Sequence, residues 1–103
     1  MDIVNTLYEK LNKRMKITKY DYSRQWLGKS KGYLAYLQST KSQPSLNVLF
    51  ALYGQAIRQR QIWQRSTETK HGNDKAIYNE NTRYFADIEN SIEKEIRQQA
   101  LTM

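Results

Sequence analysis

The segment Asp21–Leu46 reads DYSRQWLGKSKGYLAYLQSTKSQPSL, and the rest of the fold can be worked out from it. Gly28 stands where a short helix ends, because glycine readily takes the left-handed backbone conformation that closes many helices. Two residues later, Ser30 suits the N-cap of a next helix over about 31–38. The segment therefore predicts two short helices joined by a tight turn.

The end of the segment predicts a loop and the start of a third helix. Leu34 and Leu37 are spaced to face a core, with Tyr33 beside them. The polar run 39–43 then predicts a loop, which Pro44 breaks, and Ser45 suits the N-cap of a helix that continues through Trp63. Gly54 lies inside this helix and predicts that another helix crosses closely there.

Helical spacing also precedes the segment. Ile3, Leu7, Leu11 and Met15 recur at four-residue steps, and Asp2 suits the N-cap of the helix that they form. Residues 15–19 read as a connection, and a short helix over about 20–27 follows. Two helices are thus predicted before the turn at Gly28.

The second half contains one clear interruption, the polar stretch Ser66–Asp74. A last helix starts at Asp74, and its apolar residues form a narrow stripe at spacings of three and four: Ile77, Tyr84, Phe85, Ile88, Ile92, Ile96 and Ala100. A narrow stripe suits packing on one partner rather than burial in a core. The predicted fold class is all-α, with about five helices and a long C-terminal one.

The segment resembles the helix-turn-helix of the lambda-repressor-like (Cro/repressor, XRE-type) DNA-binding family. In that family a short helix ends in Leu-Gly-x-Ser, a recognition helix follows, and a polar loop leads into Pro-Ser-Leu. Leu27-Gly28-Lys29-Ser30 matches the turn, Leu34 and Leu37 match buried positions of the recognition helix, and Pro44-Ser45-Leu46 matches the exit. The resemblance covers about residues 18–57 and implies a DNA-binding core.

Two positions depart from the family pattern. The residue four before the turn glycine is usually small, and here it is Arg24, with Ser23 just before it. The residue after the glycine is usually aliphatic, and here it is Lys29. A roll of the first helix that buries Tyr22 and Trp26 would accommodate both differences, and the alternative is a degenerate motif.

The resemblance implies a DNA-contacting surface. The second helix of such a pair lies in the major groove and presents its N-terminal residues to base edges. There Lys31 would donate to guanine O6 and N7, Gly32 would let the backbone approach, and apolar or hydroxyl contacts would come from Tyr33, Ala35 and Tyr36. Phosphate contacts would come from Ser30 with the helix-start amides and from Arg24, Lys29, Lys41, Ser42 and Gln43.

Each of these residues also has a plainer interpretation. Tyr33 fits a core position better than a DNA contact, whereas Tyr36 falls opposite the Leu34–Leu37 side. Lys29 and Lys41 fit a solvated surface equally well. The arginines of residues 58–65 fit contacts with a phosphate backbone. They fit better the outer face of a helix whose Ile62 and Trp63 are turned inward.

Charge is unevenly distributed along the chain. The 103 residues carry a net charge of +7, and the first 65 alone carry +9, with seven Lys and five Arg against three acids. The remaining 38 carry −2. A basic, aromatic-rich front end indicates a polyanionic partner, of which nucleic acid is the commonest.

These observations favour a sequence-specific, dimeric regulator that binds double-stranded DNA at a palindromic operator, with repression as the default mechanism. One alternative keeps the fold as a helical protein-interaction partner of antitoxin or anti-factor type. Another is a sequence-blind nucleic-acid packager, whose binding would weaken steeply with salt.

A dimer is expected because one short recognition helix reads few base pairs, and pairing would double the contacts across half-sites about 10–10.5 base pairs apart. The predicted organisation is a DNA-binding domain over 1–65 and a linker with a dimerisation helix over 66–103. The candidate dimer surface is the stripe Phe85, Ile88, Ile92 and Ile96. Its alternative is packing of this helix back onto its own chain.

Several functions are disfavoured. The chain has no cysteine, and His71 stands alone in a polar loop, so we expect no metal site. No Gly-rich phosphate loop or nucleophile motif is present, so we expect no enzyme and no cofactor. Without a signal peptide or long apolar run, a cytoplasmic, nucleoid-associated protein is expected, with no membrane partner and no small-molecule ligand.

Overall fold

The computed structural model describes residues 3–67 and 71–102, and within these ranges all regular structure is helical. Five helices follow one another: α1 (Ile3–Met15), α2 (Lys19–Asp21, continuing as a π-helical turn over Tyr22–Trp26), α3 (Tyr33–Thr40), α4 (Leu46–Thr67) and α5 (Gly72–Thr102). The predicted all-α class is confirmed. The predicted N-cap Asp2 lies outside the described residues.

Helix α1 buries part of the face that its four-residue spacing predicts. Leu7 and Leu11 are buried and Ile3 is half-buried, whereas Met15 at the end of the helix is 43% exposed; Val4, which lies beside the predicted stripe, is also buried. The helix ends where Lys16 takes a left-handed conformation with φ of 51°. Thr18 then caps α2, because its hydroxyl accepts a hydrogen bond from the Asp21 backbone amide at 3.1 Å.

Helix α4 begins as predicted and ends later than predicted. The Ser45 hydroxyl accepts a hydrogen bond from the Val48 amide at 3.4 Å, which makes Ser45 the N-cap. The helix passes the predicted end at Trp63 and runs to Thr67. The expected helix crossing at Gly54 is wrong, since in the described ranges a Cβ there would meet only the Arg58 guanidinium, at 3.7 Å.

Helices α4 and α5 form an antiparallel hairpin that spans most of the second half. Near its turn, the rings of Trp63 and Tyr78 meet edge to face with centroids 4.9 Å apart. Further along, the Arg60 guanidinium pairs with the Glu89 carboxylate at 2.9 Å. The last helix starts at Gly72, two residues before the predicted start, so the interruption is shorter than the predicted Ser66–Asp74.

The stripe predicted as a dimer surface lies in the core of the single chain. Phe85, Ile88 and Ile92 are buried, and the ring of Phe85 stacks on Trp26 of α2 with centroids 6.3 Å apart. Ile96 is partly buried against the same cluster. The prediction that this stripe is free for a second copy is wrong for these residues, because α4, α2 and α1 already cover it.

One hydrophobic cluster therefore includes residues from both predicted domains, 1–65 and 66–103. The predicted boundary at residue 65 falls inside α4, and α5 supplies part of the core beneath α2. The chain packs as one unit, so the division into 1–65 and 66–103 does not separate two cores. None of the helices in the described ranges combines the length and the apolar content needed to cross a bilayer.

Candidate nucleic-acid interface

The turn between α2 and α3 depends on a left-handed glycine. Gly28 has φ of 66°, a conformation that costs a residue with a Cβ about 1–2 kcal/mol. The turn is closed by the Lys29 amide, which donates to the Ser23 carbonyl at 3.0 Å. The chain thereby reverses over six residues and begins α3 at Tyr33.

The π-helical turn of α2 determines which of its residues contacts α3. The Leu27 amide donates to the Tyr22 carbonyl, five residues back, at 3.1 Å, which gives one residue more than an α-helical turn. Tyr22 and Trp26 are buried, as predicted. The small residue that contacts α3 is consequently Ser23, which is fully buried, while Arg24 is exposed.

Ser23 also contributes a cap to α3 from outside that helix. Its hydroxyl accepts a hydrogen bond from the Leu34 amide at 3.1 Å. The prediction that Ser30 caps this helix from residue 31 is wrong, because the N-cap position is held by Gly32 without a side-chain bond. The Ser30 carbonyl accepts instead from the Tyr33 amide at 3.1 Å, and its side chain is exposed.

Helix α3 presents one buried and one open side. Leu34 and Leu37 are buried, as predicted. Tyr33 is half-buried against the core, in line with the interpretation preferred for it. The structure leaves exposed most of the residues predicted to contact DNA, namely Arg24, Lys29, Ser30, Lys31, Gly32, Ala35, Tyr36, Lys41 and Gln43, whereas Ser42 is half-buried.

Aromatic rings restrain two of the lysines on this surface. The Lys31 ammonium lies 5.7 Å from the ring centroid of Tyr20, and the Lys29 ammonium lies at the same distance from Tyr33. Tyr33 in turn packs near Tyr36, with centroids 6.3 Å apart. Cation–π pairing holds both ammonium groups close to the N-terminus of α3.

The other end of α3 opens onto a cleft of about 210 Å³. Lys41 ends the helix in a left-handed conformation with φ of 54°. The Gln38 side-chain oxygen accepts a hydrogen bond from the Lys19 ammonium at 3.0 Å, and the Gln38 side-chain nitrogen donates to the Asn5 side-chain oxygen at 2.9 Å. These two bonds connect α3 to α2 and α1. The cleft is lined by Asn5, Leu37, Gln38, Lys41, Ser42 and Gln43.

Four residues of this surface were not among the predicted site residues, namely Asn5, Lys19, Tyr20 and Gln38. The sequence placed Lys19 in the connection before α2 and Tyr20 at the start of α2, and neither residue fits an apolar stripe, which was the available signal. Asn5 carries no such signal, because only the packing of α1 against α3 brings it to Gln38.

The sequence that follows α2 is rich in basic residues. No aspartate or glutamate occurs between Tyr22 and Thr67, a stretch that contains Arg24, Lys29, Lys31, Lys41, Arg58, Arg60 and Arg65. The nearest acid before it is Asp21. An anion that approaches the exposed side of α3 therefore meets no carboxylate from α3, the turn or α4.

The arginines of α4 are partly committed elsewhere. Arg60 pairs with Glu89, and Arg58 donates to the Gln55 side chain at 2.7 Å. Trp63 is half-buried, as the preferred interpretation requires, but Ile62 is 55% exposed and does not turn inward. The basic run of α4 is thus mostly the outer face of the hairpin.

The comparison with known families covers almost the whole chain. The profile of the family described as "Family of unknown function (DUF6626)" matches residues 4–103. The chain belongs to this family. No curated protein and no solved structure matches it. The DUF6626 match begins in α1 and continues through α5, so both halves of the shared core lie within it.

Proposed function

We propose that this protein binds double-stranded DNA in a sequence-specific manner through the exposed side of α3. The observation that carries the proposal is the basic surface around the N-terminus of a short helix whose other side is anchored by Leu34 and Leu37, in a stretch of sequence without acids from Tyr22 to Thr67. A helix of 8 residues presented in this way fits the major groove, which is about 12 Å wide.

The base-reading part of the surface would be the N-terminal half of α3. Lys31 suits guanine O6 and N7, and Gly32 has nothing within 4 Å of the position of an added Cβ, so the backbone there is open to a close approach. Ala35 and Tyr36 suit thymine methyl groups or base edges. Tyr20 supports this part because its ring restrains Lys31.

The phosphate-binding part would flank the helix on both sides. Arg24 and Lys29 lie before α3, and Lys41, Ser42 and Gln43 lie after it. Two helix-start amides predicted to receive a phosphate are already used, because the Tyr33 and Leu34 amides bond to Ser30 and Ser23. Phosphate binding therefore rests on the side chains, which set affinity and salt dependence.

Regulation of transcription, by repression of a promoter, is the biological role that we propose for such binding. Two chains would occupy half-sites of a palindromic operator. The predicted dimer stripe is buried, so pairing would use another surface or occur only on the DNA. The oligomeric state on an operator fragment tests this part separately from binding itself.

A second candidate, a helical protein-interaction partner, is favoured by the exposed aromatic residues. Tyr20, Tyr36 and Phe50 are exposed to 60%, 54% and 54%. Large exposed apolar side chains are common at protein interfaces. This candidate predicts that the double variant Lys31→Ala/Tyr36→Ala keeps partner binding that does not depend on DNA.

The deciding experiment is a genomic-fragment pull-down with purified full-length protein at about 150 mM salt, near physiological ionic strength, followed by sequencing. Enrichment of a few inverted-repeat sites supports the proposal. Uniform recovery indicates a sequence-blind packager, and no recovery contradicts DNA binding and favours a protein partner.

Matched variants sharpen the result. Lys31→Ala/Tyr36→Ala removes one positive charge and should weaken binding to an enriched site by at least tenfold, while Lys75→Ala, which removes one charge from an exposed position of α5, should leave it within about twofold. An equal loss for both variants would mean that net charge rather than α3 determines binding.

A further inference from the structure

A second basic cleft lies where the end of α1 meets the middle of α5. It is lined by Lys10, Lys13, Arg14 and Tyr84 and has a volume of about 440 Å³. Small-molecule sites typically have volumes of about 300–1,000 Å³. The cleft therefore has room for a ligand larger than a single phosphate group.

The cleft brings three positively charged side chains together. Within the described ranges, no carboxylate lies at ion-pair distance from Lys10, Lys13 or Arg14, and this includes Glu9, the acid of α1 itself. Lys10 is three and four residues from the other two, spacings at which like charges repel along a helix. An anion in the cleft would relieve this repulsion.

Arg14 is held in a fixed orientation before any ligand arrives. Its guanidinium carbon lies 4.2 Å from the ring centroid of Tyr84, and its Nη2 donates to the Asn81 side-chain oxygen. Stacking and this hydrogen bond fix the plane of the guanidinium, so little conformational freedom is left to lose on binding. The remaining N–H donors suit the oxygens of a phosphate.

Tyr84 adds a polar group that lacks a partner. Its hydroxyl is buried and has no hydrogen-bond partner in the part of the chain that the structure describes. Burial raises the pKa of Tyr84, with the charge of Arg14 acting in the opposite direction, so the hydroxyl stays a donor at neutral pH. A buried donor without a partner gains from an acceptor, and an anion in the cleft would reach this hydroxyl once the Tyr84 side chain shifts.

The cleft is separate from the surface around α3. Asn5 faces α3, because its side chain accepts a hydrogen bond from Gln38. Arg14 follows nine residues later, and at about 100° per residue it lies about 180° away, on the opposite side of α1. The two basic surfaces are therefore divided by the first helix.

We propose that the α1–α5 cleft binds a small phosphate-bearing ligand, of the size of a diphosphate or triphosphate group. This differs from the sequence expectation of no small-molecule ligand. It does not rest on DNA binding, since α1 and α5 form the cleft without α3. Such a ligand, seated between α1 and α5, would be a free molecule and not part of the DNA.

Isothermal titration calorimetry of the purified full-length chain with pyrophosphate, at constant ionic strength and without DNA, tests the proposal. One pyrophosphate should bind per chain. Lys10→Gln/Lys13→Gln should weaken binding at least tenfold, and Arg14→Lys about fivefold, because lysine lacks the planar fork. Tyr84→Phe, which removes only the hydroxyl, should weaken it about threefold or more.

Lys75→Gln/Lys94→Gln serves as the matched control, because it removes the same charge from exposed positions of α5. This control should keep wild-type affinity. Equal weakening by both double variants would overturn the proposal and indicate diffuse attraction. Absence of heat with the wild-type chain at millimolar pyrophosphate would overturn it as well.

Two further arms locate the source of the phosphate. Lys29→Gln/Lys31→Gln should leave pyrophosphate binding unchanged. Loss of pyrophosphate binding in this variant would place the anion at α3 and overturn its assignment to the α1–α5 cleft. Lys10→Gln/Lys13→Gln should leave duplex binding unchanged. A parallel loss of duplex and pyrophosphate binding would make the cleft a contact for the DNA backbone and overturn the separate ligand.

Discussion

The replacement Ser23→Ala tests how α2 and α3 are joined. The Ser23 hydroxyl is fully buried and accepts the hydrogen bond of the Leu34 amide at 3.1 Å. Alanine keeps the backbone and removes only this acceptor. A buried amide left without a partner costs about 1–3 kcal/mol, and loss of a helix cap costs about 0.5–2 kcal/mol.

These two figures describe the same hydrogen bond, so we expect a loss of about 1–2 kcal/mol in the free energy of unfolding. For a domain of about 100 residues, each kcal/mol shifts Tm by about 4–8 °C, which gives a decrease of roughly 4–16 °C. Circular dichroism at 222 nm during thermal and urea unfolding measures both quantities.

Ser91→Ala is the control for this experiment. Ser91 lies on the exposed side of α5 and its hydroxyl bonds only to the Asp87 carbonyl of its own helix. Its replacement should leave Tm unchanged, because alanine favours a helix and no buried group loses a partner. A Tm for Ser23→Ala equal to that of Ser91→Ala would refute the role given to Ser23.

Three other perturbations probe the turn, the core and the cleft. Gly28→Ala should destabilise the fold by about 1–2 kcal/mol, since φ of 66° strains a residue with a Cβ, and urea unfolding measures it. Ile92→Ala should lower the free energy of unfolding by about 2–5 kcal/mol at every protein concentration, while Leu101→Ala, at an exposed position, should lower it little. A loss of stability that depends on protein concentration would instead support a dimer surface at this stripe. Burial raises the pKa of Tyr84, so the folded state binds the phenol proton more tightly than the unfolded state does. The free energy of unfolding should therefore fall as pH rises above about 10. Tyr84→Phe should show a smaller fall when unfolding is measured as a function of pH.

Much of the fold was predictable because its signals are local. The spacing of Val4, Leu7 and Leu11 defines the buried face of α1, and Ser45 after Pro44 defines the start of α4. The predicted start of α3 was two residues too early, because the side chain that bonds to the first turn of the helix belongs to Ser23 of α2. No pattern in adjacent residues indicates such a bond.

The candidate site was predictable in part. The exposed basic residues near Gly28 follow from the turn and from Leu34 and Leu37 facing inward. The polar link of Gln38 to Asn5 was missed, because those two residues are 33 positions apart and meet only when α1 packs beside α3. What these residues bind stays a proposal that the pull-down and the titration decide.

The amino-acid sequence by itself determined the all-α class, the start of α4 after Ser45, the turn of the chain at Gly28, and the accumulation of positive charge in the first 65 residues, because each depends on neighbouring residues or on composition. Only the tertiary structure decided which surfaces stay open. It buried Phe85, Ile88 and Ile92 against the same chain, shifted the small contact residue to Ser23 through a π-helical turn, and joined Arg14 to Tyr84 in a cleft. The hydrophobic effect is non-directional, so an apolar stripe can be covered by its own chain or by another one, and packing between distant segments selects between them.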